Sequence, residues 1–320
     1  MARYPDSQTQ RLDDAARAGW LYYVAGNTQD EIAQKMQISR QSAQRLVAMA
    51  ITEKLVKVRL DHPVARCLDL SEALKDRFGL RFCEVTPSDP ASHSTTLGIA
   101  NAAAAELERY LSRKEPTIIA MGTGEELRAA ADQLRSMDCP QHKLVSLVGN
   151  IAPDGSASLL DAVSRAAEIV HAPYYPMPCS VVAVSKAERD SINVQRNIRQ
   201  VIELAQSADV TFVGIGSMVE DAPLVKDGFV TIADMRAMMV LGSAGEITGW
   251  AYDDDGNMIK GITNDRVVGV PPRRNSKTNI IGVSMEPGRL RAIRAAMKGR
   301  LINGLITNDA MAENLLKTGR

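Results

Sequence analysis

The chain has 320 residues, 45% apolar and 24% charged, a composition that suits two globular domains or one large domain with a small attachment. Lys plus Arg and Asp plus Glu each number 38, so the net charge is zero and a uniformly basic nucleic-acid coat is excluded, although a local basic patch is not. No apolar run approaches the ~18 residues of a membrane span, and the polar N-terminus lacks the apolar core of a signal peptide.

The charge is unevenly spread. Residues 1–60 hold nine Lys/Arg and six Asp/Glu. From Lys35 to Arg59 there are six basic residues and one acid, Glu53. The remaining 260 residues carry 29 basic and 32 acidic groups. A small basic head on a slightly acidic body is the asymmetry of a DNA-binding module joined to something else.

Three helices are predicted in the head. The first runs from about Thr9 to Ala25, with Leu12, Ala16, Trp20 and Tyr23 on one face at helical spacing. Gly26 and Asn27 stop it. Thr28 opens T-Q-D-E, a capping box in which Thr28 and Glu31 satisfy the first amides of a second helix, with Ile32, Ala33 and Met36 inward. Ser39 caps a third, SRQSAQRLVAMAITEK, with Leu46, Val47 and Ala50 facing the core. Its N-terminal turns gather Ser39, Arg40, Gln41, Ser42, Gln44 and Arg45. A helix-turn-helix needs this layout, because the first turns of its second helix meet base edges in the major groove. Arg suits guanine or phosphate, Gln suits adenine, and Ser caps the helix or touches phosphate. Thr28 and Gln29, at the start of the preceding helix, complete the expected contact set with double-stranded DNA.

Residues 54–60, KLVKVRL, alternate apolar with basic and are expected to form a strand or wing whose Lys57 and Arg59 reach phosphate. The linker HPVAR follows at 62–66, which divides the chain into a DNA-binding domain, 1–61, and a larger domain, 62–320. A linking helix is expected from Leu68 to Phe78.

The larger domain alternates strands and helices. Strands are expected at 81–85, 117–121, 143–150, 180–185, 209–217, 279–285 and around 305. Helices are expected at 97–111, after the glycines at 122–124, at 156–170, 193–208 and 286–299, and at the C-terminus. Repeated β-then-α units with unbroken apolar strands predict a Rossmann-like α/β domain with a mostly parallel sheet covered on both faces. Such sheets bind ligands in the crevice beyond the strand C-termini. The glycine-bearing ends Gly122-Thr123-Gly124, Gly149-Asn150 and Gly214-Ile215-Gly216-Ser217 therefore mark a candidate ligand cleft. Neither G-x-G-x-x-G nor G-x-x-x-x-G-K-[ST] occurs, so no nucleotide cofactor is expected. Asp253-Asp254-Asp255-Gly256-Asn257 lacks the glycine placement and closing Glu of a calcium loop and is expected to be a hairpin turn. The four cysteines and four histidines are scattered, without C-x-x-C or H-E-x-x-H. That argues against a metal site or disulfide framework and fits a reducing cytoplasm.

In combination these segments carry a resemblance. YVAGNTQDEIA (23–33), SRQSAQRL (39–46), GTG (122–124), VGIGS (213–217), GSAGEITG (242–249), the DDDGN turn, NIIGV (279–283) and GRLINGLITND (299–309) resemble the SorC family of sugar-responsive bacterial transcriptional regulators across nearly the whole chain. The resemblance implies a winged helix-turn-helix joined to a domain similar to sugar-phosphate isomerases of the glucosamine-6-phosphate deaminase type. It implies a homo-oligomer, usually a tetramer built as a dimer of dimers, whose grip on operator DNA changes with a sugar, polyol or sugar-phosphate effector. It also implies effector contacts at Gly122, Thr123, Gly124, Asn150, Gly216, Glu246 and Arg289. Two departures stand out: SMEPGR puts Arg289 where the family commonly has Lys, and Glu125 follows GTG where a basic residue is common. The two acids, Glu125 and Glu126, oppose a phosphate there, which leaves a neutral polyol or ketose and a phosphosugar both open. The alternative function is a sugar-phosphate isomerase or deaminase with an accessory head. Its chemistry needs a base near the sugar carbon and an acid or His for ring opening. SLVGNIAP and GIGSMVED supply neither, and Glu220 and Asp221 come too late in their loop. A regulator, not an enzyme, is expected.

Overall fold

The computed structural model describes residues 7–56, 65–88, 96–152, 154–156 and 161–317. The chain forms two compact units, 1–62 and 63–320.

The first unit contains α1 (Ser7–Tyr23), α2 (Gln29–Met36) and α3 (Arg40–Thr52). The capping box is formed: the Glu31 amide donates to Thr28 Oγ1 at 3.3 Å, and the Thr28 amide donates to Glu31 Oε2 at 2.7 Å. Such a cap contributes about 1 kcal/mol. Gln37 ends α2 in the left-handed region (φ 55°), and Ser39 caps α3 by accepting from the Ser42 amide at 3.1 Å. The turn between α2 and α3 is thus Gln37-Ile38-Ser39. Ala18, Ile32, Ala33, Ala43 and Val47 form the core, with Leu21, Met36, Ile38 and Leu46 packed against it. Ala50 is also buried.

One expectation fails here. Trp20 and Tyr23 do not face the core but stand exposed at 55% and 41%. The buried face of α1 is made of the small residues Ala15, Ala18 and Gly19. A Cβ on Gly19 would lie 2.6 Å from both Ala50 Cβ and Val56 Cγ2. The packing around α1 is too close for an aromatic ring. The expected wing falls mostly at residues 57–60, outside the described residues, as do residues 62–64 of the linker.

The second unit runs α4 (Ala65–Phe78), β1 (Phe82–Thr86), α5 (Thr96–Leu111), β2 (Ile118–Met121), α6 (Glu125–Asp132), β3 (Lys143–Ser146), α7 (Ala162–Val170), β4 (Tyr174–Tyr175), α8 (Lys186–Asn193), α9 (Arg196–Gln206), β5 (Val210–Gly214), α10 (Pro223–Lys226), α11 (Ile232–Val240), β6 (Gly245–Ile247), β7 (Trp250–Tyr252), β8 (Asn279–Val283), a 3-10 turn (Pro287–Arg289), α12 (Leu290–Lys298), β9 (Gly304–Asn308) and α13 (Asp309–Lys317). Seven strands form one sheet in the order β1-β9-β8-β5-β2-β3-β4, and every neighbouring pair is parallel. Its two faces feed separate cores. Ile119, Met121, Leu144, Phe212 and Ile281 pack with α5, α6 and α7. Ala120, Val145, Val213, Ile280 and Leu305 pack with α9, α12 and α13 on the opposite face. Coverage on both sides explains why these strands are continuously apolar rather than alternating.

Several boundaries differ from expectation. The helix expected from Ser156 starts at Ala162, because Asp161 accepts from the Val163 and Ser164 amides and caps it there. Residues 157–160 of that expectation lie outside the described residues. The helix expected over 193–208 begins at Arg196, preceded by the separate α8. SVVAVS is not a strand. It makes only isolated bridges, Ser180 to Ile151 and Val182 to Val267. The DDDGN segment is the expected turn: Tyr252 bridges Met258, and Asp253 Oδ1 accepts from the Asp255 and Asn257 amides at 2.9 and 2.8 Å.

Candidate functional site

In the first unit the polar tip of α3 divides by role. Thr28, Ser39 and Ser42 are engaged in capping, with Ser39 Oγ 2.9 Å from Ser42 Oγ. Gln29 is half-buried. Arg40, Gln41, Gln44 and Arg45 are exposed on the first two turns. Arg40 lies 3.4 Å from Asp30, but both side chains are about two-thirds exposed, and such a surface pair is weak and readily exchanged. The arrangement is a helix-turn-helix with its long polar side chains at the N-terminal end of the second helix.

In the second unit, strand order places the crevice. From β2 the chain proceeds through α6 to β3 on one side. From β5 it proceeds to β8 on the other side. The direction of winding reverses between β2 and β5, and ligands of open parallel sheets sit at such a switch point. The loops leaving these strands are Gly122-Thr123-Gly124 and Ile215-Gly216-Ser217, and between them opens a cleft of about 410 Å³. The β6–β7 hairpin closes its floor. Gly216 and Glu246 exchange backbone hydrogen bonds at 2.9 and 3.0 Å. The hairpin tip, Thr248-Gly249, has positive φ at both residues (52° and 85°), the two-residue turn that matches strand twist.

Thr123, Gly124, Gly216, Glu246 and Arg289 all line this cleft. Gly122 and Asn150 do not. Gly122 is buried, with the Thr248 methyl 3.0 Å from where its Cβ would stand. Asn150 is turned toward Asp161, to which its amide donates at 3.2 Å, because Asp161 also accepts from the Tyr174 hydroxyl at 2.7 Å and organises that loop. Arg289 lines the cleft but is not a free cation. It is buried, pairs with Glu126, and holds Glu286 at 3.0 Å. Burial pushes the Glu126 carboxyl up, opposed by Arg289.

Glu246 is held by the hairpin that carries it. Its Oε2 accepts from the Gly249 amide at 2.7 Å. Its Oε1 lies where a side chain at 216 would begin, 1.9 Å from an ideal Cβ on Gly216. Only glycine leaves that carboxylate in place. Burial pushes the Glu246 carboxyl up, against the lowering effects of the Gly249 amide and Arg289. A carboxyl raised in the folded state stabilises below its ordinary range, and that stability is lost as pH rises through the folded value. Glu246→Gln, which keeps the acceptor for Gly249, is therefore expected to stabilise the protein at neutral pH. It should also flatten the decline in stability as pH rises above the ordinary carboxylate range, read by urea denaturation at a pH within that range and at neutral pH. An unchanged or steeper decline would refute the assignment.

Residues 218–241 carry site residues that the sequence reading left without an element. Asp221, Lys226 and Asp227 reach the cleft from around α10, and Phe229 adds an apolar wall. The readable signal was Thr231, which caps α11 by accepting from the Asp234 amide at 3.0 Å. Glu220 has no place in a reaction. It is held by Arg236 through two bonds of 2.8 and 2.9 Å on the surface. Among the described residues no group of His, Cys, Asp and Glu could hold a metal ion, and no helix is long and apolar enough to cross a membrane.

A sugar-binding domain family model, Sugar-bind, matches residues 62–317. The chain belongs to the SorC family. It is similar to the erythritol catabolism regulatory protein EryD of Brucella abortus, 28% identical over 94% of this chain and 96% of that one. It is similar also to the transcriptional regulator LsrR of Enterobacter sp., 29% identical over 94% and 92% of the two chains. The full-length sorbitol operon regulator SorC of Klebsiella pneumoniae shares the fold, with a TM-score of 0.70 at 23% identity, covering 96% of this chain and 99% of that one. This SorC-family chain is a ligand-responsive transcriptional regulator and not an enzyme.

Proposed function

We propose that the regulator acts in the cytoplasm as a homo-oligomer, a tetramer assembled as a dimer of dimers, on the operator of a carbohydrate or polyol catabolic operon. Arg40, Gln41, Gln44 and Arg45 meet DNA, with Thr28, Gln29, Ser39 and Ser42 setting the helix ends and touching phosphate. A sugar-like effector occupies the cleft against Thr123, Gly124, Gly216 and Glu246. Arg289 holds the cleft's carboxylates in place. Gly122 supports Thr248 from below, and Asn150 secures the neighbouring loop. The observation that carries this reading is the cleft of about 410 Å³ at the β2/β5 switch point. EryD acts in erythritol catabolism, which supports a polyol as effector class.

Coupling is a population shift. An effector that binds one arrangement of the oligomer better than another moves the equilibrium by that difference in affinity. Paired heads must match half-sites one helical turn (~10 bp) or multiples apart, so a small rotation breaks simultaneous docking. An electrophoretic shift on the gene's own upstream region is expected to show specific binding that a sugar or polyol alters. Absence of any specific complex, with or without such compounds, would overturn the proposal.

A further inference from the structure

The cleft has a charge pattern that bears on its ligand. Six carboxylates line it, those of Glu125, Glu126, Asp221, Asp227, Glu246 and Glu286, against two cations, Lys226 and Arg289. A phosphoryl group needs a cation, a helix N-terminus or a nest of amides to receive it. The buried cation and the helix end at this cleft are already committed. Arg289 is buried between Glu126 and Glu286, so a phosphate would have to displace a carboxylate or crowd against it. Helix α6 starts at the cleft, but its first turn carries Glu125 and Glu126, whose charges occupy the positive end of the helix dipole. Among the described residues lining the cleft, Lys226 is the one cation left, but it is two-thirds exposed, where water screens its charge, and it lies 3.7 Å from Asp221 in a weak surface pair. Hydroxyl groups, by contrast, are well served. Carboxylate oxygens accept charge-assisted bonds from O–H donors, and Glu246 Oε1 is held in the cleft wall over Gly216.

We infer that the effector is an uncharged polyhydroxylated molecule, a polyol or unphosphorylated sugar, whose hydroxyls donate to Glu246, and that the cleft rejects the phosphorylated counterpart. The inference rests on the reading of this cleft as the effector site and decides the choice that the sequence leaves open. Six carboxylates against two cations leave the cleft net acidic, and like charges brought together are penalised, so the phosphorylated member of a pair is expected to bind roughly 100-fold more weakly.

The test uses the full-length protein and matched probes: erythritol and erythritol 4-phosphate, sorbitol and sorbitol 6-phosphate, ribose and ribose 5-phosphate. Binding is read by titration calorimetry and by the shift in thermal midpoint. Gly216→Ala, which displaces the Glu246 carboxylate, serves as the cleft control, its fold checked by circular dichroism. Glu125→Lys, at an exposed position, adds a cation at the cleft. The expected result is that a neutral member binds, that its phosphate binds roughly 100-fold more weakly, that Gly216→Ala abolishes binding, and that Glu125→Lys narrows the gap about tenfold. A phosphorylated member that binds more tightly, with Gly216→Ala abolishing it, overturns the inference while the cleft assignment stands. So does a gap that Glu125→Lys leaves unchanged. Binding that survives a folded Gly216→Ala, or no binding by any member, overturns the cleft assignment and the inference with it.

Discussion

Arg45→Ala is expected to weaken operator binding by about 1–3 kcal/mol for each half-site it contacts, the range of a good bidentate base contact. Arg40→Ala is expected to weaken it by a similar amount. The two should be separable by mechanism. An arginine that reads guanine relaxes specificity at one base position when removed, whereas one that neutralises phosphate weakens all sequences alike and lowers the salt slope by about one. Both side chains are exposed on the first two turns of α3; Arg45 lies opposite the buried Ala43, Val47 and Ala50, and Arg40 is the first residue of the helix. The substitutions should therefore leave the fold and the thermal midpoint in place. Competition shifts at two salt concentrations decide the matter. Operator affinity within twofold of the parent for the Arg40/Arg45 double variant would remove α3 from the interface.

Arg289→Ala should have the largest effect on stability, about 3–5 kcal/mol, the cost of leaving a buried charge without its partner. The Arg289 and Glu126 side chains are 11% and 7% exposed, so water does little to screen them. A buried ion pair by itself is weak evidence for net stability, because desolvation offsets attraction. Breaking one side is different. It strands the Glu126 carboxylate, whose value is already raised by burial and loses its main opposing influence. The sign with pH follows: the variant should be most stable below the ordinary carboxylate range, where Glu126 is protonated in both states, and should lose stability as pH rises through the raised folded value. Adding Glu126→Gln removes the stranded charge and should restore much of the loss, which a double-mutant cycle in urea measures. A loss below about 1 kcal/mol, or no recovery in the double variant, would show that the pair is not a structural clamp.

This second expectation changes how Arg289 is understood. The family resemblance implies Arg289 as an effector contact. In the fold it pairs with Glu126 and Glu286, and Glu246 lines the same cleft with one carboxylate oxygen bonded to the Gly249 amide. Asn150, also expected as an effector contact, donates to Asp161 at 3.2 Å and is not among the residues lining the cleft.

Local signals determined much of this protein. The capping box at Thr28 and Glu31, the Ser39 cap and the polar tip of α3 are each set within four residues along the chain, so composition and spacing revealed them directly. Unbroken apolar runs separated by helical periods determined the parallel sheet, because burial on both faces leaves no room for polar alternation. Strand order was not readable in that way. That β2 and β5 are neighbours, and that the loops at 122–124 and 215–217 share one cleft with a hairpin at 245–252, depends on contacts across about a hundred residues. The exposure of Trp20, a consequence of close packing through Gly19, likewise needed the third dimension. So did the pairing of Glu126 with Arg289, since attraction between charges depends on separation in space and burial, and neither is written in the order of residues.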